Sequence, residues 1–101
     1  MITEKDDIIQ VLLSNEGTIR SFSIQRIGIF GSFLKGTNTS ESDVDLLVEF
    51  EEGKTTFKNY TGAYIFLKDL FKREIDFVTP ESLSPYIGPT ILNAVEYISF
   101  N

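Results

Sequence analysis

Three aspartates, Asp43, Asp45 and Asp76, are the residues whose types and spacing could do chemistry in this 101-residue chain, with Gly31-Ser32 standing ahead of them. In Ser42-Asp43-Val44-Asp45-Leu46-Leu47-Val48 the two acids lie two positions apart at the head of an apolar run. Side chains alternate along a strand, so Asp43 and Asp45 are expected on one face and Val44 and Leu46 on the other. Asp76 sits between Ile75 and Phe77 in the same manner, and a neighbouring strand would bring it alongside. Carboxylates held so close repel unless a cation lies between them, and hard oxygen donors suit Mg²⁺. Three donors can hold two such ions, which orient a triphosphate, absorb the charge of departing pyrophosphate and help deprotonate an attacking hydroxyl.

The chain contains no histidine, the commonest general base, which leaves Asp76 as the natural proton acceptor. On the phosphate side, Gly31 permits close backbone approach, Ser32 offers a hydroxyl and an amide, and Lys35 supplies positive charge. An isolated Asp-x-Asp is more often a solvated strand edge than a site. Here Gly31-Ser32 and Asp76 accompany it, and the combination favours a metal-and-phosphate site. Gly31 and Gly36 have the spacing of P-loop glycines, but Thr37-Asn38 follows where Lys-Ser/Thr is required. Asp43-Val44-Asp45 also lacks the glycine and later ligands of a calcium loop.

The elements that must position these residues are legible in outline. Ile8, Ile9, Leu12 and Leu13 repeat at helical spacing and predict a first helix over Thr3–Ser14, with Thr3 as cap and Asn15-Glu16-Gly17 ending it. A further turn is allowed over Thr18–Phe22. The segment Ile24–Phe30 is expected to be a buried strand, and Gly31–Ser42 a loop or the start of a helix. Asp43–Phe50 is nearly continuously apolar, as in a central strand covered on both faces. Phe57, Tyr60, Tyr64, Leu67 and Phe71 follow at steps of three and four, predicting an amphipathic helix whose aromatic face covers the sheet. Glu74–Thr79 is expected to be a third strand closed by Pro80. Beyond it, prolines and Gly88 allow only broken helical turns until Thr90–Val95, and Tyr97–Phe100 suits a short last strand.

Composition narrows the partners. A net charge of −6 repels a phosphate backbone, so direct nucleic-acid binding is disfavoured, and discounting the three aspartates still leaves the chain acidic. There is no cysteine, so neither disulfides nor thiolate metal sites arise. No run of about 18 apolar residues occurs and the first residues are polar, from which no membrane association and a cytoplasmic location are expected. The length suits one domain spanning residues 1–101.

The order Gly31-Ser32, a short loop, Ser42-Asp43-Val44-Asp45-Leu46-Leu47-Val48 and a later Asp76 in a strand resembles the polymerase-beta-type nucleotidyltransferases, especially their minimal single-domain members. The motifs carrying the resemblance run from Ile27 to Thr79. It implies an α/β fold with a small mixed sheet of three or four strands backed by helices. It also implies Asp43, Asp45 and Asp76 as catalytic metal ligands, Gly31 and Ser32 at the phosphates, and ATP as nucleotide donor with two Mg²⁺ ions. Minimal proteins of this kind are usually encoded beside a HEPN-domain protein, an RNase-type toxin, and the resemblance implies an antitoxin that adenylylates a hydroxyl side chain on such a partner. One departure is Lys35, where the family commonly has arginine; lysine gives a point charge without a bidentate fork. Two other readings are a noncatalytic antitoxin that covers its toxin and a transferase acting on a small hydroxylated molecule.

Overall fold

The computed structural model describes residues 2–100. A four-stranded mixed sheet is formed by β1 (Ile24–Phe30), β2 (Val44–Phe50), β3 (Ile75–Val78) and β4 (Glu96–Ser99), in the spatial order β3-β2-β1-β4. β1 runs antiparallel to both β2 and β4, whereas β2 and β3 are parallel. Parallel neighbours need a long crossover, and α4 (Phe57–Phe71) supplies it. The other helices are α1 (Lys5–Ser14), α2 (Glu16–Ser21), α3 (Gly31–Lys35), a 3₁₀ turn at Pro80–Ser82 and α5 (Gly88–Asn93). The expected α/β class, with a small mixed sheet backed by helices, is what the chain adopts.

Alternation along the strands divides the sheet into two faces. Val44, Leu46, Val48 and Phe50 of β2 join Ile75 and Phe77 of β3 and Ile27 and Ile29 of β1 in one core, closed by Ile8, Leu12, Ile19, Ala63, Leu67 and Phe71 from α1, α2 and α4. Ile24 and Ile27 both reach this core although they are three positions apart, which strict alternation would put on opposite faces. A bulge between Ile24 and Arg26 inserts Gln25 and shifts the alternation. Asp45, Leu47 and Glu49 therefore lie on the opposite face with Asp76. Leu47 is nonetheless fully buried. The chain leaves β3 at one sheet edge and must reach β4 at the other, and Val95 lies against Gly28 where a Cβ would meet it. This last segment covers the middle of the second face. The continuous apolar run of β2 thus reflects burial on both faces, as expected.

Several boundaries differ from expectation for local reasons. α1 begins at Lys5, not Thr3, because Asp7 reaches back: its carboxylate accepts from the Glu4 amide at 3.1 Å and from the Thr3 amide and hydroxyl at 2.9 Å each. Glu4 is the N-cap, and Thr3 donates to Asp7 in the first turn. Asn15 separates α1 from α2, and Gly17 lies inside α2 with open space around it, so the second helix resumes at once. β2 begins at Val44, which leaves Asp43 one residue before the strand. Phe57 is 85% exposed and does not join the aromatic face. It opens α4, where Thr56 caps the helix by accepting from the Asn59 amide at 3.1 Å. Tyr60 and Tyr64 do reach it, edge-on to Phe77 at centroid distances of 4.9 and 5.9 Å.

Candidate active site

Asp45 and Asp76 occupy matching positions on β2 and β3. Flanking pairs in the same register, Val44 with Ile75 and Leu46 with Phe77, both enter the core. Asp45 and Asp76 therefore project together from the other face, separated by the width of one strand spacing, about 4.8 Å. Asp43 immediately precedes β2 and is exposed, as is Asp76, while Asp45 is only partly exposed. The expected trio is brought to one end of the sheet, with Asp43 supplied by the loop instead of the strand.

On the other side of β2, Asp45 is paired with Phe30, the last residue of β1. Gly31 follows with φ of +72°, a backbone conformation that glycine adopts without the steric cost other residues incur. The turn presses its Cα against the aspartate: a Cβ at position 31 would lie 1.9 Å from Asp45 Oδ2 and 2.8 Å from its Cγ. Gly31 is thus required twice, by conformation and by proximity. The same turn aims the Ser32 amide at the Asp45 carboxylate. Gly31, Ser32 and the acids consequently form one constellation built from the end of β1, the start of α3 and the starts of β2 and β3.

Burial pushes the Asp45 carboxyl up from 3.8 to about 6, with the charges of Asp76 and then Asp43 adding to it, and the Ser32 amide pulling in the opposite direction. No lysine or arginine is among the groups acting on it. A partly buried carboxylate beside two others, without a cationic side chain, is an uncompensated negative charge. An all-carboxylate oxygen set of this kind fits Mg²⁺. Among the described residues no three acidic side chains already form a closed cage, and mutual repulsion acts against their closing unaided.

Lys35 is not brought to this cluster. It is exposed in the last turn of α3 and lines a shallow cleft with Glu4, Lys5, Asp6 and Asn38. A larger cleft of about 650 Å³, lined by Arg20, Ile24, Gln25, Glu51 and Phe100, lies at the far end of β1 from Asp45. It gathers no pair of acids or bases, so its size alone assigns it no chemistry. The aspartates instead stand on an open surface, where a large acceptor could approach.

Sequence reasoning missed Arg73, in the turn before β3. Its guanidinium donates to the carbonyls of Ser42 at 3.0 Å, Ile2 at 3.2 Å and Thr39 at 3.4 Å, and lies 5.4 Å from the centroid of the Phe33 ring. Its partners are main-chain atoms remote in sequence, which leave no motif. A solitary arginine beside a strand was the only available signal.

Comparison with known proteins places these features in a wider group. Residues 8–98 match the family model described as a nucleotidyltransferase domain. The protein adenylyltransferase MntA of Thermococcus cleftensis is 33% identical over 94 residues, covering 92% of this chain and 94% of its own length. A solved structure classed as a minimal nucleotidyltransferase superposes with a TM-score of 0.68 at 27% identity, covering 87% of this chain and 93% of its own. A toxin–antitoxin crystal structure with AMP-PNP shares the fold at a TM-score of 0.64 and 21% identity, covering 94% of this chain and 72% of its own.

Proposed function

This chain belongs to the nucleotidyltransferase domain family and is a nucleotidyltransferase, and we propose that it transfers AMP from ATP to a hydroxyl of a protein partner, in a metal-dependent reaction. The observation that carries this reading is the parallel register of Asp45 with Asp76 beside the Gly31 turn. The 33% identical relative is named a protein adenylyltransferase, and a toxin–antitoxin structure of the same fold carries an ATP analogue. A HEPN-type toxin is the proposed partner, which makes this chain its antitoxin.

In this reading Asp43, Asp45 and Asp76 would hold Mg²⁺. The bound metal would neutralise the triphosphate, polarise the α-phosphorus and lower the acidity barrier of the acceptor hydroxyl. Gly31 lets the phosphates approach the main chain closely and the Ser32 hydroxyl donates to them, while the Ser32 amide stays directed at Asp45. Asp76, on the exposed side of the pair, accepts the proton of the attacking hydroxyl. The acceptor oxygen bonds to the α-phosphorus, the bond to the bridging oxygen breaks, and pyrophosphate leaves with that electron pair. Lys35 stands outside the carboxylate cluster, exposed in the last turn of α3, so it contributes at most a solvated positive charge to an incoming triphosphate. The exposure of Asp43 and Asp76 favours an acceptor that brings its own walls, as a folded protein does.

The test is to incubate the purified chain and its cognate toxin with ATP and Mg²⁺ and weigh the toxin intact by mass spectrometry. One or more added AMP units are expected with the wild type and none with Asp45→Asn. An unmodified toxin under conditions where the two proteins form a complex would reject transfer and leave a covering role.

A further inference from the structure

Asp43 is the one member of the acidic trio that no strand ladder holds, since β2 begins at the next residue. Its position is nevertheless bracketed on both sides by one dipeptide. The carbonyl of Ser42 accepts from Arg73 Nη1 at 3.0 Å, and the amide of Val44 donates to the carbonyl of Glu74 at 3.1 Å. Arg73 extends the clasp to the Thr39 carbonyl with the same nitrogen and to the Ile2 carbonyl with Nη2. Its guanidinium also lies beside the ring of Phe33, which is buried two residues beyond Gly31. Arg73 itself stands three residues before Asp76.

One side chain thus touches the loop that presents Asp43 and the helix that begins at Gly31, and it precedes the strand that carries Asp76. Among the described residues its donors meet carbonyls and no carboxylate lies within ion-pair distance. A planar fork with several fixed donors suits three diverging carbonyls in a way that a single ammonium does not. Phe33 offers a ring face that such a fork can lie against. Glu74, next in sequence, pairs instead with Lys68 at 3.2 Å, which leaves Arg73 free for the loop.

We propose that Arg73 is a positioning residue for the transfer reaction: it fixes the Ser42-Asp43 peptide against the Gly31 helix and the β3 strand, so that Asp43 meets Asp45 and Asp76 at one cation site. This rests on the metal-dependent transfer proposed above. Arg73 touches no reacting atom and acts through the main chain of the loop.

The experiment compares Arg73→Gln and Arg73→Lys with the wild type in two measurements. Steady-state adenylylation is followed against Mg²⁺ concentration, with turnover expressed per folded molecule. Amide hydrogen exchange is followed separately without ATP or partner. Arg73→Gln is expected to lower kcat and raise the Mg²⁺ concentration for half-maximal rate, each about 10–100-fold, the range for losing an outer partner of a metal ligand. Exchange should quicken across residues 39–45 while β1 and α4 keep their protection. Arg73→Lys should recover part of both effects. Unchanged exchange at 39–45 overturns the proposal, as does a loosened loop with an unaltered Mg²⁺ requirement, or an acceleration spread evenly over the chain with turnover per folded molecule preserved. If the wild type itself transfers no AMP, the transfer reading fails, and the exchange comparison still decides whether Arg73 holds the loop.

Discussion

Asp45 and Asp76 are register partners on parallel strands, and both point away from the helical core. The pairing is non-local, because α4 lies between the two strands in sequence. It juxtaposes two carboxyls that the unfolded chain keeps apart, and Asp43 adds a third.

Removing one of these charges should separate function from stability. Asp45→Asn is expected to lower AMP transfer at least about 100-fold, the scale of losing one group from a charge-stabilising constellation. Without metal the same variant should melt higher, since it relieves repulsion at a partly buried carboxyl. Solvent screening leaves about 1 kcal/mol of that relief, or roughly 4–8 °C for a chain this size. Scanning calorimetry in a chelator, beside the transfer assay, checks both. A lower melting temperature would show that the carboxyl is structural.

The pH dependence has a definite sign. Asp45 titrates near 3.8 when unfolded and at about 6 when folded, so between these values the folded chain holds a proton that the unfolded chain has lost. The contribution of Asp45 to stability therefore falls as pH rises from about 4 to 6, and stays low above. Denaturant melts of metal-free wild type and Asp45→Asn across this window should converge at the acid end and diverge at the neutral end. Saturating Mg²⁺ should stabilise the wild type most above pH 6, where the carboxylate is ionised. In the transfer assay the acid limb should shift to lower pH as Mg²⁺ is raised, because metal and proton compete for one group.

Two glycines that share a positive φ give a controlled comparison. Gly31 and Gly36 have φ of +72° and +74°, yet only the first has a neighbour, Asp45, within reach of an added Cβ. Gly36→Ala should cost about 1 kcal/mol of stability and leave kcat nearly intact. Gly31→Ala carries the strain of its own positive φ and also displaces the Asp45 carboxylate, so kcat should fall far more than stability does. Equal kinetic effects would count against the close approach at position 31.

Lys35 provides a milder test of the phosphate side. It is exposed, so Lys35→Ala should leave the stability within about 0.5 kcal/mol of wild type. If an incoming triphosphate meets this solvated charge, its loss should raise KM for ATP about 3–5-fold, in keeping with surface pairs worth up to about 1 kcal/mol. An unchanged KM would assign Lys35 to the cleft it shares with Glu4 and Asp6 alone.

The readable parts of this chain were those with short periods. Alternation placed Asp45 and Asp76 on faces opposite to Val44, Leu46, Ile75 and Phe77, and the glycine ahead of Ser32 marked a turn. What periodicity does not carry is where an element stops. Phe57 has the spacing of the α4 core stripe, but helical phase does not reveal that this first residue of the helix stays exposed. The strand boundary at Asp43 was invisible because the two positions beside it are held by atoms of Arg73 and Glu74, not by its own neighbours. Arg73 itself was unreadable since carbonyl acceptors have no side-chain identity. Ile24 fits the core only through the Gln25 bulge, which no residue type announces.

The most direct measurement is a crystal of this chain with Mn²⁺ and an ATP analogue bearing a methylene bridge between its α- and β-phosphates, read by anomalous diffraction. A peak bridging the carboxylates of Asp45 and Asp76, with Asp43 drawn in and the phosphates against Gly31-Ser32, is the expected result. A nucleotide bound with its cation remote from that pair, or no cation at the pair at saturating Mn²⁺, would contradict the account.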